Sequence, residues 1–255
     1  MTEALEPAWL LHRREYGDGG FLADFMGLRS GRFSAVVRGA RRKARGGSHV
    51  GVLRPFLPLL VAQGGRGELK TLRRIEASQA AIELTGERVF SGLYLNELLV
   101  RLLPRFEPLP RLFAEYGETL ACLEGSEDVE RALRYFELTL LTELGYGIRF
   151  DMDADNDAVE ASHHYRYDPE RGFLPCVFAP ETGHDPEVLQ GEQLLNIADW
   201  LFGGDGLAAG NSRIIKFVTR RALQQQLGER TLNSRELLMA FRSGAEMGDL
   251  SDGVK

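Results

Sequence analysis

Residues 55–77 read PFLPLLVAQGGRGELKTLRRIEA, two runs rich in apolar and β-favouring residues interrupted at Gly64–Gly67. Glycine adopts the positive backbone dihedrals of a tight turn without steric cost, so the two runs are expected to fold back on each other as a hairpin. The same texture extends upstream. AWLLHRREY (8–16), FLADFM (21–26) and RFSAVV (32–37) are short runs, most with a glycine turn signal between them. Five short strands in so short a segment suit a small, partly open barrel of the oligonucleotide-binding kind, and a generic β-sandwich would satisfy the same pattern.

From about Ala77 the period changes. YLNELLVRLLPRF (94–106), PRLFAEYGETLACL (110–123), DVERALRYFELTLLTELGYG (128–147), EVLQGEQLLNIADWLF (187–202) and RIIKFVTRRALQQQLG (213–228) repeat apolar residues at spacings of three and four. Each such helix must bury one face, so the Leu and Phe stripes are read as the core of a helical bundle. Residues 150–186 lose this periodicity. They hold the acidic run DMDADND (151–157), His163 and His164, and a hairpin-like stretch YRYDPERGFLPCVF (165–178). The expected fold class is α+β with more than one domain: a five-stranded barrel over 1–78, then a helical domain over 79–255 carrying an irregular insertion at about 150–186.

The chain has 255 residues, 44% hydrophobic and 27% charged, enough to bury a sizeable core. Its start, MTEALEPAWLLHRRE, lacks the basic segment and long apolar run of a signal peptide or spanning helix, so a cytoplasmic protein without membrane partners is expected. Cys122 and Cys176 are the two cysteines and form no CxxC pair; reduced thiols are the simplest reading.

Signatures of catalysis are missing. There is no GxxxxGK[ST] phosphate loop, no GxGxxG and no HExxH. GGSHVG (46–51) misses the nucleophile elbow by one position, and the neighbours Ser48 and His49 are poorly arranged as nucleophile and base. DMDADND opens like a calcium loop, but Asn156 stands where that loop needs Gly and Ser162 where it needs Glu. His163 and His164 are adjacent, so in an extended segment they point to opposite faces and cannot both join Asp151, Asp153 or Cys176 around one ion. No enzyme activity and no cofactor or metal are expected.

Charge is distributed unevenly. Residues 1–85 carry 14 Lys or Arg against 8 Asp or Glu, whereas the rest of the chain carries 17 against 29. At the centre of the basic part lies VVRGARRKARGGSH (36–49), with Arg38, Arg41, Arg42, Lys43 and Arg45. A lone charge run is ordinarily a solvated loop. Here it lies between strands of a basic module, among small residues that let a backbone approach, with Arg13, Arg14, Arg32, Lys70, Arg73 and Arg74 on neighbouring strands. That pattern points to phosphate binding through counterion release, with Phe33 and Tyr16 as stacking candidates for a single strand.

RFSAVVRGARRKAR (32–45), LRPFLPLLVAQGGRGELKTLRRIEA (53–77), YLNELLVRLL (94–103), LRYFELTLLTELGYG (133–147) and LNSREL (232–237) together resemble the RecO family of bacterial recombination mediators, in order and over nearly the whole chain. The resemblance implies an N-terminal oligonucleotide-binding barrel, a C-terminal helical domain and no catalytic turnover. It implies binding to single- and double-stranded DNA, annealing of complementary strands, and work with RecR in loading RecA onto strands coated by single-strand-binding protein. Many members hold zinc in four cysteines of the insertion; this chain keeps only Cys176 there, so the family zinc is expected to be lost and the hairpin held by packing. The family's helical domain grips the acidic, Phe-ending tail of single-strand-binding protein. Arg134 is the candidate for its terminal carboxylate, since guanidinium and carboxylate meet in a two-bond fork; pairing with Glu130 or Glu137 is the plainer role for it. A reading of a different class is an RNA-binding barrel protein of translation or transcription, because such barrels serve both nucleic acids.

Overall fold

The computed structural model describes residues 4–38, 51–125, 128–176, 185, 187–203, 206–208, 210–229 and 231–252. These contain strands β1 (Glu6–Tyr16), β2 (Gly20–Gly27), β3 (Gly31–Val37), β4 (Pro58–Gly64) and β5 (Leu69–Ala77), helices α1 (Glu87–Leu102), α2 (Pro110–Glu124) and α3 (Val129–Glu143), strands β6 (His164–Asp168), β7 (Gly172–Pro175) and β8 (Val188–Gln190), and helices α4 (Gly191–Leu201), α5 (Asn211–Leu227) and α6 (Asn233–Asp252). They group into two compact units, 1–129 with 230–255, and 130–229. The grouping does not follow the sequence boundary drawn at residue 78, because α1, α2 and α6 belong with the barrel.

In the first unit the five strands close into a barrel in the order β1-β2-β3-β5-β4, with β1 pairing β4. The sandwich reading is thereby set aside. Neighbours are antiparallel except β3 and β5, which run parallel through Ser34↔Leu69, Ala35↔Lys70 and Val36↔Thr71. The glycine turn at 64–67 joins β4 to β5 as the sequence predicts. Alternate residues of the strands fill the interior, among them Ala8, Leu10, Phe25, Phe33, Ala35 and Val61. On the outer face of β1, Trp9 packs edge-on against Tyr116 of α2 at 5.2 Å between ring centroids. Tyr116 in turn donates its hydroxyl to Asn96 Oδ1 of α1 at 2.5 Å.

The run expected to stay helical through Phe106 stops at Leu102. Proline disfavours the helical conformation of the residue before it, and Leu103, which precedes Pro104, is extended at φ −68°, ψ 133°. The freed segment 103–109 docks on β3. Arg105 forms a parallel bridge with Arg32, Phe106 N–H donates to Arg32 O at 2.9 Å, and Gly31, at φ 64°, lies directly against the backbone of Glu107.

Helix α6, whose sequence shows only as the late LNSREL block, is seated by α1. Glu97 Oε1 accepts from Asn233 N–H and Oε2 from Ser234 N–H, both at 2.9 Å, satisfying donors that a helix start leaves open. Ser234 Oγ adds a third bond at 2.7 Å and Arg101 an ion pair at 2.5 Å.

In the second unit the insertion has its own sheet, β7-β6-β8, with the expected hairpin formed by β6 and β7. Phe150, Tyr167 and Phe173 pack beneath it, with Phe173 at 5.3 Å from each of the other two rings. The stretch expected to open the fourth helix begins as β8, and α4 starts only at Gly191 behind a reciprocal cap between Gln190 and Gln193.

Two predictions follow from the first unit. Gly31→Ala forces a side chain into the Glu107 backbone at a positive φ, so it should cost well over 1 kcal/mol in urea unfolding, whereas Gly67→Ala, which meets open space, should cost less. Burial pushes the Glu97 carboxyl pKa up, but bonds from Ser234 and Asn233 and the charge of Arg101 outweigh it and leave the pKa below the usual carboxylate value. A depressed folded pKa contributes stability that is full above the unfolded pKa of about 4.3 and fades as pH falls through the folded value. Protection of the Asn233 and Ser234 amides, taken relative to their intrinsic exchange rates, should therefore fall in that acid range in the native chain. Glu97→Gln should show the lower protection at neutral pH already.

Candidate nucleic-acid interface

Strand alternation sorts the barrel residues. Arg32 and Phe33 are neighbours in β3 and so face opposite ways. Phe33 is fully buried, its ring stacked on Phe25 at 5.4 Å. The expectation that Phe33 stacks on bases is corrected: its ring is core, and no base reaches it in this fold. Tyr16, the other stacking candidate, is exposed at the end of β1.

At that same barrel end Tyr16 pairs with Gly20, and Phe21 beside it pairs with Val37, so Tyr16 stands near the point where β3 passes into exposed Arg38. Arg41, Arg42, Lys43 and Arg45 follow and lie outside the described residues. Arg14 is exposed nearby, while Arg13 places its guanidinium 5.0 Å from the Phe21 ring centroid with Nη1 buried.

A second group of cations lies where segment 103–109 meets β3. Arg32 Nε donates to Leu103 O at 2.8 Å, and Arg105, its bridge partner, is exposed. Burial lowers the Arg32 pKa, the charge of Arg105 lowers it further, and Asp24 acts the other way. Lys70 Nζ lies 4.9 Å from the ring centroid of Phe106 and 3.3 Å from Gly65 O. Further along β5, Arg73 is exposed and Arg74 is exposed and paired with Glu76 at 3.1 Å. The structure thus brings Arg32 and Lys70 together with Arg105 and Phe106, which sequence reasoning assigned to a helix. The pre-proline position of Leu103 was the signal that this helix ends early.

Arg134, in the second unit, pairs with Glu137 as the plainer of its two expected roles has it, but inside the unit and not on its surface. Its side chain is 8% exposed and pairs at 2.7 Å with Glu137, which is fully buried. Thr219 of α5 donates to Glu137 Oε2 at 2.7 Å and accepts from Arg134 Nη1 at 3.4 Å. The guanidinium is committed inside the unit and is not presented to an incoming carboxylate. The helical spacing carried this signal: Arg134, Leu138 and Leu141 stand at i, i+4 and i+7, and all three are buried.

Four cations of this unit lie on α5, and of these Arg213 and Arg220 are exposed. Arg213, Lys216, Phe217, Arg220 and Arg221, with Pro169, line a cavity of about 760 Å³. Lys216 pairs with Glu130 at 3.0 Å and Arg221 with Glu187 at 3.0 Å. Among the described residues no three His, Cys, Asp or Glu side chains gather as metal ligands, and Cys176 is the insertion's single cysteine. The residues present do not fit a four-thiolate zinc, and the aromatic cluster of Phe150, Tyr167 and Phe173 packs the hairpin.

A closed five-stranded barrel edged with cations is a build suited to holding a polyanion. Residues 1–81 match the model of the Recombination protein O N-terminal family and residues 83–236 that of the Recombination protein O C-terminal family. The DNA repair protein RecO of Pseudomonas aeruginosa PAO1 is 42% identical over 236 residues, covering 92% of this chain and 95% of its own length. The proteins of that name from Methylococcus capsulatus Bath and Aliivibrio salmonicida LFI1238 are 38% and 36% identical, each over 94% of this chain and over 94% and 97% of their own lengths. The chain belongs to the RecO family, and its role lies in DNA repair and recombination. Among the described residues no helix is long and apolar enough to cross a membrane.

Removing Arg134 strips the counter-charge from a buried carboxylate. Arg134→Ala should therefore destabilise the chain by about 3–5 kcal/mol in urea unfolding, and the paired change Arg134→Met with Glu137→Leu should recover most of that loss.

Proposed function

We propose that this chain is a non-enzymatic DNA-binding mediator. It binds single- and double-stranded DNA through the barrel, anneals complementary strands, and works with RecR to help load RecA onto single strands coated by single-strand-binding protein. A cytoplasmic, nucleoid-associated location goes with that role. The observation that carries the reading is the pair of cationic places on the barrel, exposed Arg38 at one end and Arg32, Arg105 and Lys70 at the other, together with the run Arg41, Arg42, Lys43 and Arg45 that follows Arg38 in the sequence. Duplex formation is itself downhill, so annealing needs no fuel. The barrier is the repulsion of two polyanions, and a basic surface lowers it.

The tail of single-strand-binding protein is proposed to dock on α5. Residues 130–229 are acidic overall, with 9 Lys or Arg against 17 Asp or Glu, yet α5 holds four cations and no acid. Arg213 and Arg220 are exposed beside Phe217, a chemistry suited to an acidic peptide ending in Phe and a carboxylate. DNA grip and tail grip then reside on different parts of the chain and separate by mutation.

Binding to a single strand should weaken steeply with salt, with a log–log slope of roughly −0.7 per phosphate contact. Replacing Arg41, Arg42 and Lys43 by Ala should make that slope about 2 less negative and slow annealing, with an unchanged circular dichroism spectrum. A flat salt response would overturn the electrostatic reading, and preferential binding of RNA over DNA of the same sequence would favour an RNA-binding protein. Replacing Arg213 and Arg220 together by Ala should lower tail-peptide affinity in fluorescence anisotropy and slow annealing of coated strands only.

A further inference from the structure

Phe106 has the wrong place for a core residue and the wrong backbone for a loop residue left to itself. Its φ is 60°, a left-handed conformation that a bulky L-residue rarely adopts. The surrounding pairing imposes it: Phe106 N–H is bonded to Arg32 O, Arg105 is bridged to Arg32, and the next residue, Glu107, is pressed against Gly31. A strained backbone fixed on both sides commonly marks a functional position. Yet Phe106 as a residue is 38% exposed.

Cations outnumber acids around that ring. Lys70 Nζ sits 4.9 Å from the ring centroid, Arg105 is the adjacent residue and exposed, and Arg32 holds its guanidinium on Leu103 O close enough to feel the charge of Arg105. Glu107 is the one acid of this segment, and it too is exposed. An exposed aromatic face flanked by cations is the arrangement that holds an unpaired base by stacking and its neighbouring phosphates by charge. A base inside a duplex has both faces covered by its neighbours and offers nothing to stack upon.

We propose that Phe106 is a stacking platform for one unpaired base, with Arg105 and Lys70 holding the flanking phosphates, so that this edge of the barrel distinguishes single strands from duplex. The proposal rests on the DNA-binding reading above and adds to it a residue outside the five barrel strands. It assigns Phe106 the task that sequence reasoning gave to the buried Phe33.

The test uses the full chain and three fluorescein-labelled probes: an oligothymidylate, the same strand with abasic sites throughout, and a duplex of equal length, each followed by anisotropy. Phe106→Ala should bind the oligothymidylate about tenfold more weakly, the magnitude of losing one base–aromatic stack. It should bind the duplex and the abasic strand as wild type does. Phe106→Tyr should keep wild-type affinity for all three, and thermal unfolding of Phe106→Ala should match wild type. Equal losses of Phe106→Ala on single strand and duplex, or an undiminished affinity for oligothymidylate, would overturn the stacking proposal while leaving DNA binding intact. If wild type itself binds none of the three probes, the DNA-binding reading fails and the proposal with it.

Discussion

A strand in a closed barrel needs both of its edges paired, and β3 meets this requirement in two parts. On one side it pairs with β2 along its length. On the other, β5 covers only Ser34–Val36, and the segment after α1 takes over at Arg32 through the Arg105 bridge and the Phe106 amide. The contact exists because position 31 is glycine: a side chain there would occupy the space of the Glu107 backbone. From this one close approach follow the completion of the sheet edge, the joining of the barrel to α1 and α2, the crowding of Arg32 with Arg105, and the exposure of Phe106 beside Lys70. A structural need of the barrel thus gathers Arg32, Arg105 and Lys70 in one place.

Arginine serves opposite purposes in this chain, and burial decides which. Arg134 is desolvated and balanced by Glu137 and Thr219, so its charge is used up internally; an ion pair of this kind fixes how α3 meets α5 more than it adds net stability. Arg38, Arg105, Arg213 and Arg220 are exposed. Cations in that state contribute little to folding and keep their hydration and counterions until a polyanion displaces them. The acidic balance of the whole chain is compatible with a basic interface for the same reason: screening confines the influence of a charge to about 10 Å, so a ligand responds to the local cluster and not to the sum.

Much of the architecture was written in local patterns. The five strand runs, the glycine turn between β4 and β5, the hairpin of the insertion and five of the helices all appear at or close to their expected places, because period and turn chemistry depend on near neighbours in the chain. Two misplacements were also legible in principle. Adjacent strand residues cannot share a face, so placing Arg32 outward already puts Phe33 inside. Likewise the i, i+4, i+7 spacing of Arg134, Leu138 and Leu141 places that arginine on the buried stripe of α3.

By itself, then, the sequence determined the element types, the charge asymmetry and the family, since each is carried by composition, periodicity or ordered motifs. Tertiary structure alone decided that segment 103–109 pairs with β3 across some 70 positions of chain. It alone decided that Phe106 is exposed in a left-handed conformation, and that Thr219 of α5 joins Arg134 and Glu137. In each case the deciding partner lies far away in sequence. Burial and pairing are properties of the space around a side chain, and no local window of the chain contains that space.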